Sequence, residues 1–131
     1  MIADSSFLVS LFLSEDVNHT RAKKEFLANE KHILIPISVF EETVNIFVYR
    51  RGITFCLGAI NELLQNENII IYYTDENEVL DAIELMSDNK RKMSLIDYEV
   101  AYFAAQKNED LLCFDKQILS LTANLKRKKN S

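Results

Sequence analysis

Residues 1–13, MIADSSFLVSLFL, set the pattern from which the fold is predicted. Met1–Asp4 reads as a short buried strand that stops at an acid. Apolar residues at helical spacing follow it directly: Phe7, Leu8, Leu11 and Phe12. The same order of strand and helix continues along the chain, with strands predicted at Ile33–Ile35, Ile69–Tyr73 and Leu111–Phe114. This alternation predicts a single-domain three-layer α/β/α sandwich with a mainly parallel central sheet.

The helices between these strands are predicted from apolar periodicity and from their end signals. They cover Ser6–Leu13, Asn18–Asn29, Ser38–Arg51, Thr54–Gln65, Asp75–Ser87, Ser94–Lys107 and a short Gln117–Leu121. Residues 1–125 are therefore expected to form one domain. Residues 126–131 are basic and are expected to be a disordered tail.

Composition narrows the class of protein. The chain has 131 residues, of which 48% are hydrophobic, enough for one domain with a full core. Cys56 and Cys113 both lie in apolar stretches and are interpreted as core thiols. The net charge of −5 argues against a general nucleic-acid coat protein. No stretch has the character of a signal peptide or of a membrane span, so a cytoplasmic protein is expected.

Four acidic residues are interpreted as lying at or just past the predicted carboxyl ends of the strands. They are Asp4, Glu42, Asp97 and Asp115. A parallel sheet would bring them to one edge, where functional groups of such sheets collect. Clustered carboxylates repel one another unless a cation lies among them, and Mg²⁺ or Mn²⁺ prefers oxygen ligands. The pattern therefore indicates metal-dependent phosphoester chemistry.

A simpler reading of each acid is helix capping. Asp4 and Asp115 can be N-caps, and Asp97 can close a capping box with Ser94. Glu41 fits a capping box with a serine three residues before it, which leaves Glu42 one position further round the helix and available to the site. Capping explains an acid at each place, but not why the acids should share one rim of one sheet.

Several segments resemble PIN-domain ribonucleases. They are Met-Ile-Ala-Asp4-Ser-Ser, Pro36-Ile-Ser-Val-Phe-Glu-Glu42-Thr-Val-Asn, Met-Ser94-Leu-Ile-Asp97-Tyr-Glu-Val-Ala and Leu-Leu-Cys-Phe-Asp115-Lys. The order of these segments and the length of the chain are similar to those of the small single-domain members, best known as VapC-type toxins of toxin–antitoxin pairs.

The resemblance implies a function and a site. The implied activity is that of a metal-dependent endoribonuclease, the toxin of a type II pair, with an antitoxin partner and a homodimeric state. The implied Mg²⁺ or Mn²⁺ site consists of Asp4, Glu42, Asp97 and Asp115. Ser6 and Ser94 resemble supporting positions of the family. The family often has a hydroxyl two residues before the last Asp, and Cys113 departs from this, which is expected to weaken a supporting hydrogen bond. One-metal and two-metal chemistry both stay open.

Basic residues near the rim are candidates for contact with RNA. Lys116 directly follows an acid, and Arg50 and Arg51 are weaker candidates, because solvated charge at helix ends is their simpler reading. Two alternative functions are kept. One is a receiver-like phospho-signalling module with Asp75 as acceptor, and the other is a catalytically inactive PIN module that binds RNA or protein.

Overall fold

The structure, a computed structural model, describes residues 1–130. Its elements in chain order are β1 (Ile2–Ala3), α1 (Ser5–Phe12), α2 (His19–Ala28), β2 (Ile33–Pro36), α3 (Ile37–Arg51), α4 (Ile53–Leu64), β3 (Ile69–Tyr72), α5 (Glu76–Asp88), α6 (Leu95–Lys107), β4 (Leu111–Leu112) and α7 (Lys116–Lys129). The predicted α/β sandwich is confirmed. Within the described residues, no helix combines the length and apolarity that crossing a bilayer requires.

The strands form one parallel sheet in the order β3-β2-β1-β4. Ile2 pairs with Leu34 of β2 on one side and with Leu111 of β4 on the other. The chain leaves β1 toward β2 and later returns to its opposite side as β4. This reversal of strand order makes the carboxyl edge of β1 and β4 the switch point at which open α/β sheets bind ligands.

Apolar side chains from both helical layers pack against this sheet. Helix α6 packs between α5 and α7, while α1 packs against α2 and α3. The largest fully buried side chains include Phe7, Tyr98 and Phe103. A second, smaller cluster joins α1, α3 and α4, and it contains Cys56, which confirms the interpretation of that residue as a core thiol.

The carboxyl-terminal helix is longer than predicted. The sequence predicted an end near Leu121 and a disordered tail over 126–131, but α7 continues to Lys129, so the prediction is wrong for 126–129. Leu125 packs on the core, and Lys126 Nζ donates to the Glu109 carbonyl at 2.6 Å. Basic residues in the last turn also suit the negative end of the helix dipole. Residue 131 lies outside the described residues.

Candidate active site

Asp4 occupies the turn between β1 and α1. Its backbone N–H donates to the Leu112 carbonyl of β4 at 3.0 Å, which extends the β1–β4 ladder. One carboxylate oxygen, Oδ2, accepts from Ser6 Oγ at 2.8 Å, from the Ser6 backbone N–H at 3.3 Å and from Cys113 Sγ at 3.5 Å. Asp4 therefore caps α1, as the simpler reading predicted, and Ser6 supports it.

The second oxygen of Asp4 is exceptional. The residue is 2% exposed, and Oδ1 is buried without a hydrogen-bond partner. A buried polar atom without a partner costs free energy, and a buried charge costs more. A divalent cation on Oδ1 would remove that cost, so the chemistry of this carboxylate fits a metal ligand.

Asp97 and Asp115 lie with Asp4 around one cavity of about 410 Å³. Asp115 caps α7 through Oδ1, which accepts from the Gln117 N–H at 2.9 Å and from the Ile118 N–H at 3.2 Å. Asp97 Oδ2 accepts from the Ser94 N–H at 3.2 Å, while Ser94 Oγ accepts from the Asp97 N–H, and together these bonds form a capping box. Both carboxylates thus combine the capping role with a place at the cavity.

The electrostatics of Asp97 reflect this gathering. Burial raises the pKa of its carboxyl above the ordinary value, and the charges of Asp4 and Asp115 raise the pKa further, whereas the hydrogen bonds from Ser94 lower it. Carboxylates whose charges raise the pKa of a neighbouring carboxyl are close enough to repel it. A cation among them would relieve this repulsion.

Glu42 stands beside this group rather than within its cavity. It lines a neighbouring cleft of about 610 Å³, which shares Ile46 and Arg50 with the cavity of the three aspartates. Ser5 Oγ donates to Glu42 Oε1, and Ser5 directly follows Asp4 in the chain. Among residues 1–130, no three His, Cys, Asp or Glu side chains are placed closely enough to hold an ion as they stand. Side-chain rotation would have to bring their oxygens together.

The predicted capping box of Glu41 is wrong. Helix α3 begins at Ile37 directly after Pro36, and it has no side-chain cap. Ser38 Oγ instead donates to Glu99 Oε2 at 2.5 Å. Glu41 is exposed and lines the larger cleft with Glu42, so the choice between the two glutamates stays a prediction, supported by the contact of Glu42 with Ser5.

Cys113 supports the site despite being a thiol. Besides its bond to Asp4, Sγ accepts from the Asp115 N–H at 3.3 Å. Burial raises the pKa of the thiol to about 12, and the charge of Asp4 adds to the shift, so the sulfur keeps its proton at neutral pH. A cysteine at this position was expected to weaken a supporting hydrogen bond. The sulfur in fact has a second hydrogen bond, which it accepts from the Asp115 N–H.

The basic candidates differ in position. Arg50 lines both cavities. Its Nη2 lies 3.7 Å from Glu15 Oε1. Arg51 lies 3.3 Å from the same glutamate, and its guanidinium lies over the Phe55 ring at 4.5 Å. Neither Arg51 nor the exposed Lys116 lines either cavity.

Sequence reasoning missed Asp16, Ser5 and Glu99. Asp16 lines the aspartate cavity and accepts from Ser10 Oγ at 2.8 Å and from the Asn18 N–H at 2.9 Å. Its place in a helix-breaking turn gave no sign of this contact. Glu99 is 4% exposed, and an acid on the buried face of a helix was a signal that could have been noticed.

The fold and the carboxylates at its edge define a class of small parallel α/β proteins with an acidic site. The family model described as PIN domain matches residues 1–124, and the chain belongs to that family. The fold is also similar to the crystal structure of VapC20 from Mycobacterium tuberculosis, described as a sarcin–ricin loop cleaving toxin. The TM-score is 0.83 at 19% identity, over 91% of this chain and 92% of the other. A comparison with curated proteins found no match.

The receiver-like alternative is wrong, since the family is a different one. Asp75 follows β3, which lies at the edge of the sheet opposite β4. Its Oδ1 accepts from the Glu78 N–H at 2.8 Å, and Glu78 Oε1 accepts from the Asp75 N–H at 3.2 Å. Asp75 thus starts α5 as a capping-box residue, and it follows a strand that is separated by β2 from β1, the strand that Asp4 follows.

Proposed function

We propose that this PIN-domain protein is an endoribonuclease that requires Mg²⁺ or Mn²⁺ and acts as the toxin of a type II toxin–antitoxin pair. The observation that carries the proposal is the buried, unpartnered Oδ1 of Asp4, in a cavity that Asp97 and Asp115 also line. An all-oxygen donor set of this kind suits hard divalent cations. Membership of the PIN family and the fold shared with a toxin support the same activity.

In this proposal the acids divide the work. Asp4, Asp97 and Asp115 hold the ion, and Glu42 is a further ligand or orients the attacking water. A bound divalent cation supplies Lewis-acid activation of water and stabilisation of the leaving oxygen. Ser6 and Cys113 hold Asp4 by its Oδ2, which leaves Oδ1 for the metal. Ser94 holds Asp97 in the same manner.

RNA is held by the cleft beside the acids. Arg50, which lines both cavities, is the best-placed residue for a phosphate contact. Lys116 and Arg51 lie outside both and contribute less. The proposal includes an antitoxin that binds the toxin, a homodimer, and a cytoplasmic location where RNA is the substrate.

The test is RNA cleavage by purified protein. Wild type with Mg²⁺ or Mn²⁺ should cleave single-stranded or structured RNA, including a ribosomal sarcin–ricin hairpin, and should stop when a chelator is added. The isosteric variant Asp4→Asn, purified in parallel, should be inactive and should not arrest growth when expressed without an antitoxin. Cleavage that survives complete chelation would contradict the metal requirement. A folded wild type without activity on any RNA would favour the inactive-module alternative.

A further inference from the structure

Glu99 is a buried carboxylate that the proposed chemistry does not use. It lies on α6 with 4% of its surface exposed, and its Oε2 accepts from Ser38 Oγ on α3 at 2.5 Å. A buried carboxylate is costly unless it is hydrogen-bonded, and losing its partner is costlier still. The bond between Ser38 and Glu99 is therefore expected to resist opening.

This bond connects the two helices that carry candidate ligands. Ser38 lies four residues before Glu42, so the two share one face of α3. Glu99 lies two residues after Asp97 on α6. This side-chain hydrogen bond thus joins the helix of Glu42 to the helix of Asp97.

Few other contacts hold these helices together. Helix α3 packs closely on α1, on α4 and on the neighbouring strands, but only sparsely on α6. The cleft of about 610 Å³ is lined by α3 residues and by Ile96 of α6, and Ser38 is part of its wall. On the other flank, Ser5 of α1 donates to Glu42. Helix α3 is thus tied by side-chain hydrogen bonds to the element after Asp4 and to the element of Asp97.

We propose that Ser38 and Glu99 are a positioning pair that fixes α3 against α6 and so sets the distance between Glu42 and Asp97 at the metal site. This inference rests on the proposed function, because it assigns the pair a role toward the divalent cation. Residues that orient metal ligands typically change metal affinity or activity by about 10–100-fold when they are removed. The expected effect lies at the lower end of that range, because the pair acts through two helices.

The experiment measures Mn²⁺ binding by titration calorimetry for wild type and for matched variants. Ser38→Ala and Glu99→Ala should each weaken Mn²⁺ binding by about tenfold. Glu99→Gln should stay close to wild type, because the amide oxygen can still accept from the serine. Tyr102→Phe is the control, since it removes another hydrogen bond of α6, the 2.7 Å contact with Asp81, without touching α3.

The outcomes separate this inference from the proposed function. If Ser38→Ala and Glu99→Ala bind Mn²⁺ as wild type does, the positioning role is overturned and the proposed function stands. If Glu99→Gln loses as much affinity as Glu99→Ala, the charge matters rather than the hydrogen bond, which also overturns it. If wild type binds no Mn²⁺ and cleaves no RNA, both the positioning role and the proposed function are wrong. Should Glu99→Ala fail to fold, Ser38→Ala decides, because it keeps the buried acid and removes only the donor.

Discussion

Cys113 Sγ lies 3.5 Å from Asp4 Oδ2 and donates to it, across 109 positions of the chain. The same sulfur accepts the backbone N–H of Asp115 at 3.3 Å. One buried thiol therefore touches two of the residues proposed to hold the metal. Because it engages Oδ2 of Asp4 together with Ser6, it contributes to leaving Oδ1 as the unpartnered oxygen.

Replacing this thiol should separate its hydrogen bonds from its volume. Cys113→Ser keeps a donor and an acceptor of similar size, so Mn²⁺-dependent cleavage should stay within a few-fold of wild type. Cys113→Ala leaves the Asp115 N–H without a partner and opens a small cavity, which should cost about 1–3 kcal/mol of unfolding free energy and reduce activity. Urea unfolding and cleavage assays check both. Equal activity of the serine and alanine variants would show that the Cys113 side chain acts only through packing and not through its hydrogen bonds.

The charge of Asp97 should destabilise the protein in the absence of metal. The pKa of Asp97 is higher in the folded protein than its ordinary value of about 4, so the folded state favours the protonated carboxyl. The free energy of unfolding therefore falls as the pH rises from about 4 through the folded-state pKa. Asp97→Asn removes the charge and keeps an acceptor for the Ser94 N–H. The difference in stability between the variant and wild type should therefore favour the variant more at pH 7 than at pH 3.5. The variant should also lose the stabilisation that Mn²⁺ gives to wild type.

Thermal melts at both pH values, with Mn²⁺ and with chelator, measure this. Asp97→Ala serves as the comparison, because it also loses the capping bond and should cost about 0.5–2 kcal/mol. An asparagine variant as unstable as the alanine variant at pH 7 would contradict the prediction.

Point variants at the acids should divide into active and inactive groups. Asp115→Asn and Glu42→Gln should nearly abolish RNA cleavage, because each removes a charge from a residue that we propose to act at the metal. Glu41→Gln and Asp75→Asn should keep both activity and stability, since Glu41 makes no capping box and Asn can cap α5 in place of Asp75. Cleavage rates and melting temperatures decide. If Glu41→Gln loses activity and Glu42→Gln keeps it, then Glu41 rather than Glu42 is the glutamate of the site.

Arg50 should contribute to RNA binding more than its neighbour. Arg50→Ala should raise KM and reduce the salt dependence of RNA binding by about one phosphate contact. Arg51→Ala is the matched control, because Arg51 lies near the same Glu15 and lines neither cavity. Binding of an uncleaved RNA to Asp4→Asn, with each arginine variant added, measures the effect over a salt series. Equal losses of RNA affinity in the two arginine variants would show that only the overall positive charge of the protein matters.

Self-association should use the outer face of α3 and α4. The apolar segment Phe7–Leu13 is not available for this contact, because most of its apolar side chains are buried in the core. Tyr49, Ile53 and Leu57 are 91%, 58% and 64% exposed and lie on either side of the junction between α3 and α4. Large exposed apolar patches often mark contacts between proteins. Leu57→Glu should shift sedimentation toward monomer without unfolding the protein, whereas Val17→Glu, at a site 96% exposed elsewhere, should not. A wild type that is monomeric at micromolar concentration would count against the dimer.

Local patterns in the sequence were enough for the order of elements and for the capping roles of Asp4, Asp97 and Asp115. Hydrophobic periodicity reports which face of a segment is buried, and a cap acts within one turn of its own helix. Both signals are contained in neighbouring residues. The family resemblance rested on the same short segments, and the match over residues 1–124 agrees with it.

Contacts between distant parts of the chain were decided by the tertiary structure alone. Ser38 looked like a cap because an acid stood three residues later, yet its partner is Glu99, 61 positions away. Helix α7 continues to Lys129 because its lysines reach carbonyls at the end of α6 and beyond it. Cys113, 109 positions from Asp4, donates to Oδ2 of that residue, while Oδ1 is buried without a partner. A hydrogen bond between residues far apart depends on how the sheet and helices pack, and no local pattern encodes that packing.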